Sequence, residues 1–138
     1  MLNPVYEHLG RIEKLIVLDT DVIIWLLRGR DEVLAKFRIA VEETAGQLYI
    51  TPVQIAEIFA GMRNHELEKT ERLIGSLLVI ELDREIGKLA GEFMNKYGKS
   101  HSVKLADALI AAATKINRMR LWTFNKKHYP MMTEEEFY

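Results

Sequence analysis

Three carboxylates stand in settings that a solvated surface acid would not choose: Asp19, Glu57 and Asp107. Asp19 directly follows the apolar run Leu15-Ile16-Val17-Leu18. Asp107 is the single charged residue of Leu105-Ala106-Asp107-Ala108-Leu109-Ile110-Ala111-Ala112-Ala113, and a helix apolar on all sides is a buried helix. Glu57 interrupts Ile55-Ala56-Glu57-Ile58-Phe59-Ala60. At helical periodicity it falls about 200° round from Ile55, on a side shared with Val53, Ala56, Ala60 and Gly61 that reads as packed. Burying an ionised carboxylate without a partner costs several kcal/mol. Each acid must therefore cap a helix, pair with a base or hold a cation. Neither lysine nor arginine lies within these stretches. Three acids from separate elements would make an all-oxygen site suited to Mg²⁺ or Mn²⁺. Such a site orients and polarises a phosphodiester and generates hydroxide from bound water.

Simpler roles compete for two of the three. Asp19 can cap the helix that follows it, and Glu57 can pair with a distant arginine. For Asp107 the sequence offers neither a cap nor a nearby base. Asp21 reads first as an acid of a helix's opening turn, favoured there by the helix dipole, and second as support to the site. His8, His65, His101 and His128 lack a His-x₃-His spacing and carry no zinc site. A Walker-type loop, a Gly-x-Ser-x-Gly elbow and a Gly-x-Gly-x-x-Gly fingerprint are all missing from the sequence.

The elements that must position these acids follow from patterning. Leu15 to Leu18, Leu48 to Ile50, Leu77 to Glu81 and Arg120 to Phe124 read as strands, and continuous apolar runs imply cover on both faces. Helices are expected from Asp21 to Leu27 and from Asp31 to Thr44, with stops at Arg28-Gly29-Arg30 and Gly46. A third opens on Thr51-Pro52 and runs to Asn64, and a fourth spans His65 to Ser76. Asp83 caps a fifth to Tyr97, and Ser102 caps a sixth to Met119. Strands separated by helices predict an α/β protein, a parallel sheet with helices on both sides. Ligand sites in such sheets lie at the carboxyl ends of the strands, where Asp19, Thr51 and Asn125 fall.

A length of 138 residues suits one domain with its own core. With 49% hydrophobic and 28% charged residues the chain is ordinary globular protein, not a disordered one. A net charge of −1 leaves nucleic-acid binding to local basic clusters. The sequence holds no cysteine, which excludes disulfides and thiolate metal sites and fits a reducing compartment. No apolar run approaches the length of a membrane span. Met1 to Lys14 carries Glu7 and Glu13 and lacks the apolar stretch of a signal peptide, so the cytoplasm is the expected location.

Four segments in order complete a pattern: Leu18-Asp19-Thr20-Asp21-Val22, Gln54-Ile55-Ala56-Glu57-Ile58, Leu105 to Ala113, and Leu121-Trp122-Thr123-Phe124-Asn125-Lys126-Lys127-His128-Tyr129. Together they resemble the PilT N-terminus (PIN) domain nucleases, and among these the VapC toxins of toxin–antitoxin pairs. The resemblance implies a three-layer α/β/α fold with a four- to five-stranded parallel sheet over residues 15–138. Residues 1–14 are then an N-terminal extension, either a helical embellishment or an over-long start. It further implies Mg²⁺-dependent (or Mn²⁺-dependent) endoribonuclease activity, with Asp19, Glu57 and Asp107 as metal ligands and catalytic acids. Asn125, Thr123 and Asp21 would support them, while Lys126, Lys127 and Arg28 would steer the RNA phosphates. A VapB-like antitoxin and a homodimer are the implied partners. Trp25 and Leu26 are candidates either for an apolar groove that takes an antitoxin helix or for the core. The fourth segment departs from the family, since many members carry Asp where Asn125 stands; one firm ion and a weak second site are expected.

Two other readings remain open. Asp19-Thr20-Asp21-Val22 also approaches the haloacid-dehalogenase phosphatase signature, with Asp19 as nucleophile, although that motif wants Thr or Val where Ile23 stands. The third reading is a non-catalytic RNA- or partner-binding module weakened by Asn125.

Overall fold

The computed structural model describes residues 15–138; the N-terminal extension expected over residues 1–14 lies outside them. Four short strands form one parallel sheet: β1 (Ile16–Leu18), β2 (Leu48–Ile50), β3 (Leu78–Val79) and β4 (Arg120–Trp122), in the order β3-β2-β1-β4. Between them run the helices α1 (Thr20–Leu27), α2 (Asp31–Glu43), α3 (Pro52–Gly61), α4 (Leu67–Gly75), α5 (Arg84–Tyr97) and α6 (Leu105–Ile116).

Strand side chains alternate between faces, and that alternation divides the core in two. Val17 and Leu121 point to one side and pack with Ile86 and Ala90 of α5 and the buried run Ile110 to Ala113 of α6. Ile16, Leu18, Leu48, Ile50 and Trp122 point to the other side. They meet Val22, Ile23 and Leu26 of α1, Val33 and Ala40 of α2 and Ile58 of α3. The three-layer α/β/α sandwich follows, and its four strands match the expected fold. The unbroken apolar run of β1 is buried throughout, as a strand covered on both faces must be.

The sheet contains a reversal. The chain steps from β1 to β2 and β3 on one side, then returns to lay β4 on the other side of β1. The carboxyl ends of β1 and β4 therefore flank the switch point where open α/β sheets bind ligands.

Several boundaries differ from the sequence expectation, each for a local reason. The third strand is two residues long and exposed, because it is an edge strand paired only to β2. Helix α3 stops at Gly61 rather than Asn64, and Met62 turns extended. The turn Asn64–Glu66 is 3-10, so α4 begins only at Leu67. Ser102 does not cap α6; it adopts φ 54°, and Lys104 occupies the cap position without a side-chain bond. That helix ends at Ile116, and β4 ends at Trp122 rather than Phe124. The N–H of Phe124 goes instead to the Asp21 carboxylate, and that of Asn125 to the Thr123 hydroxyl. Gly29, at φ 71°, supplies the left-handed turn after α1 that the sequence signalled.

Candidate active site

Asp19 leaves β1 at the switch point, its own N–H bonded to the Trp122 carbonyl of β4 at 2.9 Å. The residue is 7% exposed, and its side chain takes three hydrogen bonds at once. One oxygen, Oδ1, caps α1 by accepting the Thr20 N–H at 2.8 Å. The other, Oδ2, accepts the Thr123 hydroxyl at 2.7 Å and the Tyr129 hydroxyl at 2.9 Å. The same carboxylate thus caps α1 and, through its other oxygen, gathers two hydroxyls from beyond β4.

Tyr129 reaches a second acid, since its hydroxyl also lies 3.4 Å from Oδ1 of Asp107. Asp107 sits in the first turn of α6, where the helix dipole favours an anion. The sequence had offered no such structural support, because it placed the helix start at Ser102. Asp107 is half-buried rather than enclosed. Burial first, and then the negative charge of Asp19, raise its carboxyl above the usual 3.8, with Glu57 adding to the rise and His128 opposing it. His128 is thereby placed near Asp107 as an exposed neighbour.

Glu57 arrives from α3. Its Oε1 accepts the Thr20 hydroxyl at 2.7 Å, next in sequence to Asp19. The face it occupies is not packed: Ala56, Glu57, Ala60 and Gly61 are exposed. Gly61 lines an open groove beside Glu57, and a helical wheel cannot tell an exposed face of small residues from a core face. The groove, about 620 Å³, runs between α1, α3 and α4 and is lined by Arg28, Arg63, His65 and Lys69 beside Glu57.

Asp21 and Asn125 pair with each other near Asp19. Oδ2 of Asp21 accepts the Phe124 N–H at 3.0 Å and the Asn125 side-chain amide at 2.9 Å, while its buried Oδ1 has no protein donor among the described residues. Burial and the nearby Asp19 raise the Asp21 carboxyl as well. Thr123 is buried and works as a hydrogen-bonded brace between Asp19 and the Asn125 backbone.

The three cations expected on phosphate differ in situation. Arg28 closes α1 at the groove, and Lys127 is exposed. Lys126 instead pairs with Glu134 at 2.6 Å and lies over the Phe137 ring. Leu26 is buried in the core, so it lines no exposed groove; Trp25 is half-buried beneath the guanidinium groups of Arg28 and Arg30.

Two residues escaped the sequence reading. Gln54, fully buried, accepts from the Thr51 N–H at 3.0 Å and donates to the Leu18 carbonyl at 3.0 Å, tying α3 to the end of β1. The Thr51-x-x-Gln54 spacing of a capping box was its signal. Tyr129 had none, because it closes the fourth segment after Lys126-Lys127-His128 and nothing local tells where its hydroxyl goes.

Among the described residues the ion pairs join Arg72 with Glu68, Lys115 with Glu136 and Lys126 with Glu134, and none takes up Asp19, Glu57 or Asp107. Nor, among those residues, do three His, Cys, Asp or Glu side chains already stand as a cluster that encloses an ion. Asp19 and Asp107 are linked through one hydroxyl, that of Tyr129. An all-oxygen pair without a balancing base fits Mg²⁺ or Mn²⁺, which keep several waters and need only one or two carboxylates.

Comparison with known proteins agrees with this geometry. The PIN domain family model matches residues 16–131. The chain is 36% identical to Ribonuclease VapC10 of Mycobacterium tuberculosis, over 87% of this chain and 90% of that protein. It is 27% identical to Ribonuclease VapC19 of the same organism, over 86% and 94%. Among solved structures it resembles a toxin–antitoxin complex from Klebsiella pneumoniae, with TM-score 0.69 and 25% identity over 83% of this chain and 90% of that one. It shares a fold with VapBC2 from Rickettsia felis, solved bound to a promoter DNA fragment, at TM-score 0.73 and 17% identity over 84% and 93%. With the family pattern matched from β1 past β4 and the acids gathered at the switch point, the phosphatase reading falls away: the chain belongs to the PIN domain family.

Proposed function

We propose that this protein is a metal-dependent endoribonuclease of the VapC type, the toxin of a toxin–antitoxin pair. The observation that carries the reading is the pairing of Asp19 and Asp107 at the switch point without a lysine or arginine partner. Asp19 and Asp107 would hold Mg²⁺ or Mn²⁺, with Glu57 reaching it directly or through water. When bound, the ion supplies a Lewis acid and a water of lowered pKa.

The chain's own residues do the rest. Thr20 holds Glu57 toward Asp19, so the three acids present one negative wall. Glu57, exposed at the groove, accepts a proton from the attacking water. Arg28, Arg63 and Lys69 along the groove, with the exposed Lys127 after β4, neutralise the RNA backbone. The polar pair of Asp21 and Asn125 positions water rather than a full second ion. A VapB-like antitoxin would cover this pocket in the resting pair. The homodimer and a cytoplasmic location complete the proposal; among the described residues no helix is long and apolar enough to cross a membrane.

The test is cleavage of single-stranded RNA with and without Mg²⁺ or Mn²⁺. Asp107→Asn should lower the rate by on the order of 100-fold or more, the cost of removing a group that orients the reacting centre. Cleavage that survives EDTA, or that Asp107→Asn leaves intact, refutes the assignment. RNA binding without turnover would favour a non-catalytic module.

A further inference from the structure

Tyr129 is 1% exposed, and its ring is fixed edge-on against Phe137 at 6.5 Å. Packing alone would be satisfied by a phenylalanine. The hydroxyl instead ends between two carboxylates, 2.9 Å from Asp19 Oδ2 and 3.4 Å from Asp107 Oδ1. Two acids brought together repel, and a hydroxyl between them offsets part of that repulsion while no cation is present.

The same geometry sorts the oxygens of Asp19. A carboxylate oxygen accepts about two hydrogen bonds. Oδ2 already takes two, from Thr123 and Tyr129. Oδ1 takes only the Thr20 N–H, which leaves it one free lone pair. Resting on the metal-site reading above, we infer that Tyr129 is a positioning residue: its hydroxyl orients Asp19 and Asp107 toward their shared cation and leaves Asp19 Oδ1 as the coordinating oxygen. Partners of this kind, hydrogen-bonded to metal-ligating carboxylates, govern metal affinity.

The experiment is calorimetric titration of Mn²⁺ into the full chain, without RNA, for wild type, Tyr129→Phe and Phe137→Leu. Phe137→Leu loosens the same ring packing but leaves the hydroxyl in place, so it reports any effect of general destabilisation. Tyr129→Phe should raise the Mn²⁺ dissociation constant by about tenfold or more, while Phe137→Leu changes it by less than about twofold. Several results overturn the inference. Binding of Mn²⁺ by Tyr129→Phe as tight as by wild type, or tighter, is one. A loss no greater than that of Phe137→Leu is another, and a Tyr129→Phe chain that no longer melts cooperatively in EDTA is a third, since its loss is then structural. Wild-type protein that takes up no Mn²⁺ overturns the metal site itself and the inference with it, whereas normal wild-type binding with an unaffected Tyr129→Phe overturns the inference alone.

Discussion

Asn125 donates its side-chain amide to Asp21 at 2.9 Å, so the residue that replaces an expected acid acts as a donor to the neighbouring one. An aspartate at this position would meet Asp21 as a like charge. Asn125→Asp should therefore destabilise the metal-free protein by roughly 2 kcal/mol, a lost hydrogen bond to a charged group, and lower its melting temperature by several degrees. Added Mn²⁺ should recover more stability in this variant than in wild type, because the new carboxylate offers a second ion a ligand. Thermal melts in EDTA and in Mn²⁺ read both effects; an Asn125→Asp protein as stable as wild type in EDTA would contradict the pairing.

Asp107 gives a pH dependence with a definite sign. Its carboxyl is raised above 3.8 by burial first and by Asp19 second, so the folded chain binds that proton more tightly than the unfolded chain does. The stabilisation from the neutral form is complete below 3.8 and is lost as pH climbs through the raised value. Asp107→Asn stays neutral throughout. In EDTA its stability relative to wild type should grow with rising pH across that window and then level off. Urea unfolding at a series of pH values checks this, and a difference that stays flat, or shrinks as pH rises, speaks against it.

Gln54 is a buried junction whose loss strands the Thr51 N–H and the Leu18 carbonyl. Gln54→Leu should cost about 2–6 kcal/mol, from two buried groups left without partners at about 1–3 kcal/mol each. Urea denaturation measures it. A cost below roughly 1 kcal/mol would mean that water replaces both bonds.

The basic residues should separate by their present partners. In a cleavage-dead Asp107→Asn background, Arg28→Ala and Lys127→Ala should each weaken RNA binding and reduce the salt slope by about one. Lys126→Ala should do less, because Glu134 already neutralises that lysine. Binding isotherms at several salt concentrations decide, and equal slopes for all three variants would erase the distinction.

How much of this was legible in the sequence depends on whether the signal was local. Asp19 and Asp107 stood out because a charge inside an apolar run contradicts its surroundings, and both reach the site. The α/β layering followed from strands alternating with helices. The place of Leu78 and Val79 did not, because strand order is a property of the whole sheet: an apolar run reads the same at an edge as in the centre. Glu57 was found by its spacing while its setting was misjudged, since Ala56, Ala60 and Gly61 suit an exposed face as well as a core. The first turn around Asp107 was hidden because Ser102, a good capping residue by type, takes a left-handed conformation instead.

The bond from Thr123 to Asp19 spans 104 positions of chain. Loop closure over such a distance comes late, after local helices and the β1–β2 pair have formed. During synthesis the acids of the first half therefore wait, unassembled, until β4 leaves the ribosome and docks. A chain that ends before that strand keeps all three acids and the groove but lacks Thr123 and Tyr129, the two hydroxyls that hold Asp19 in place.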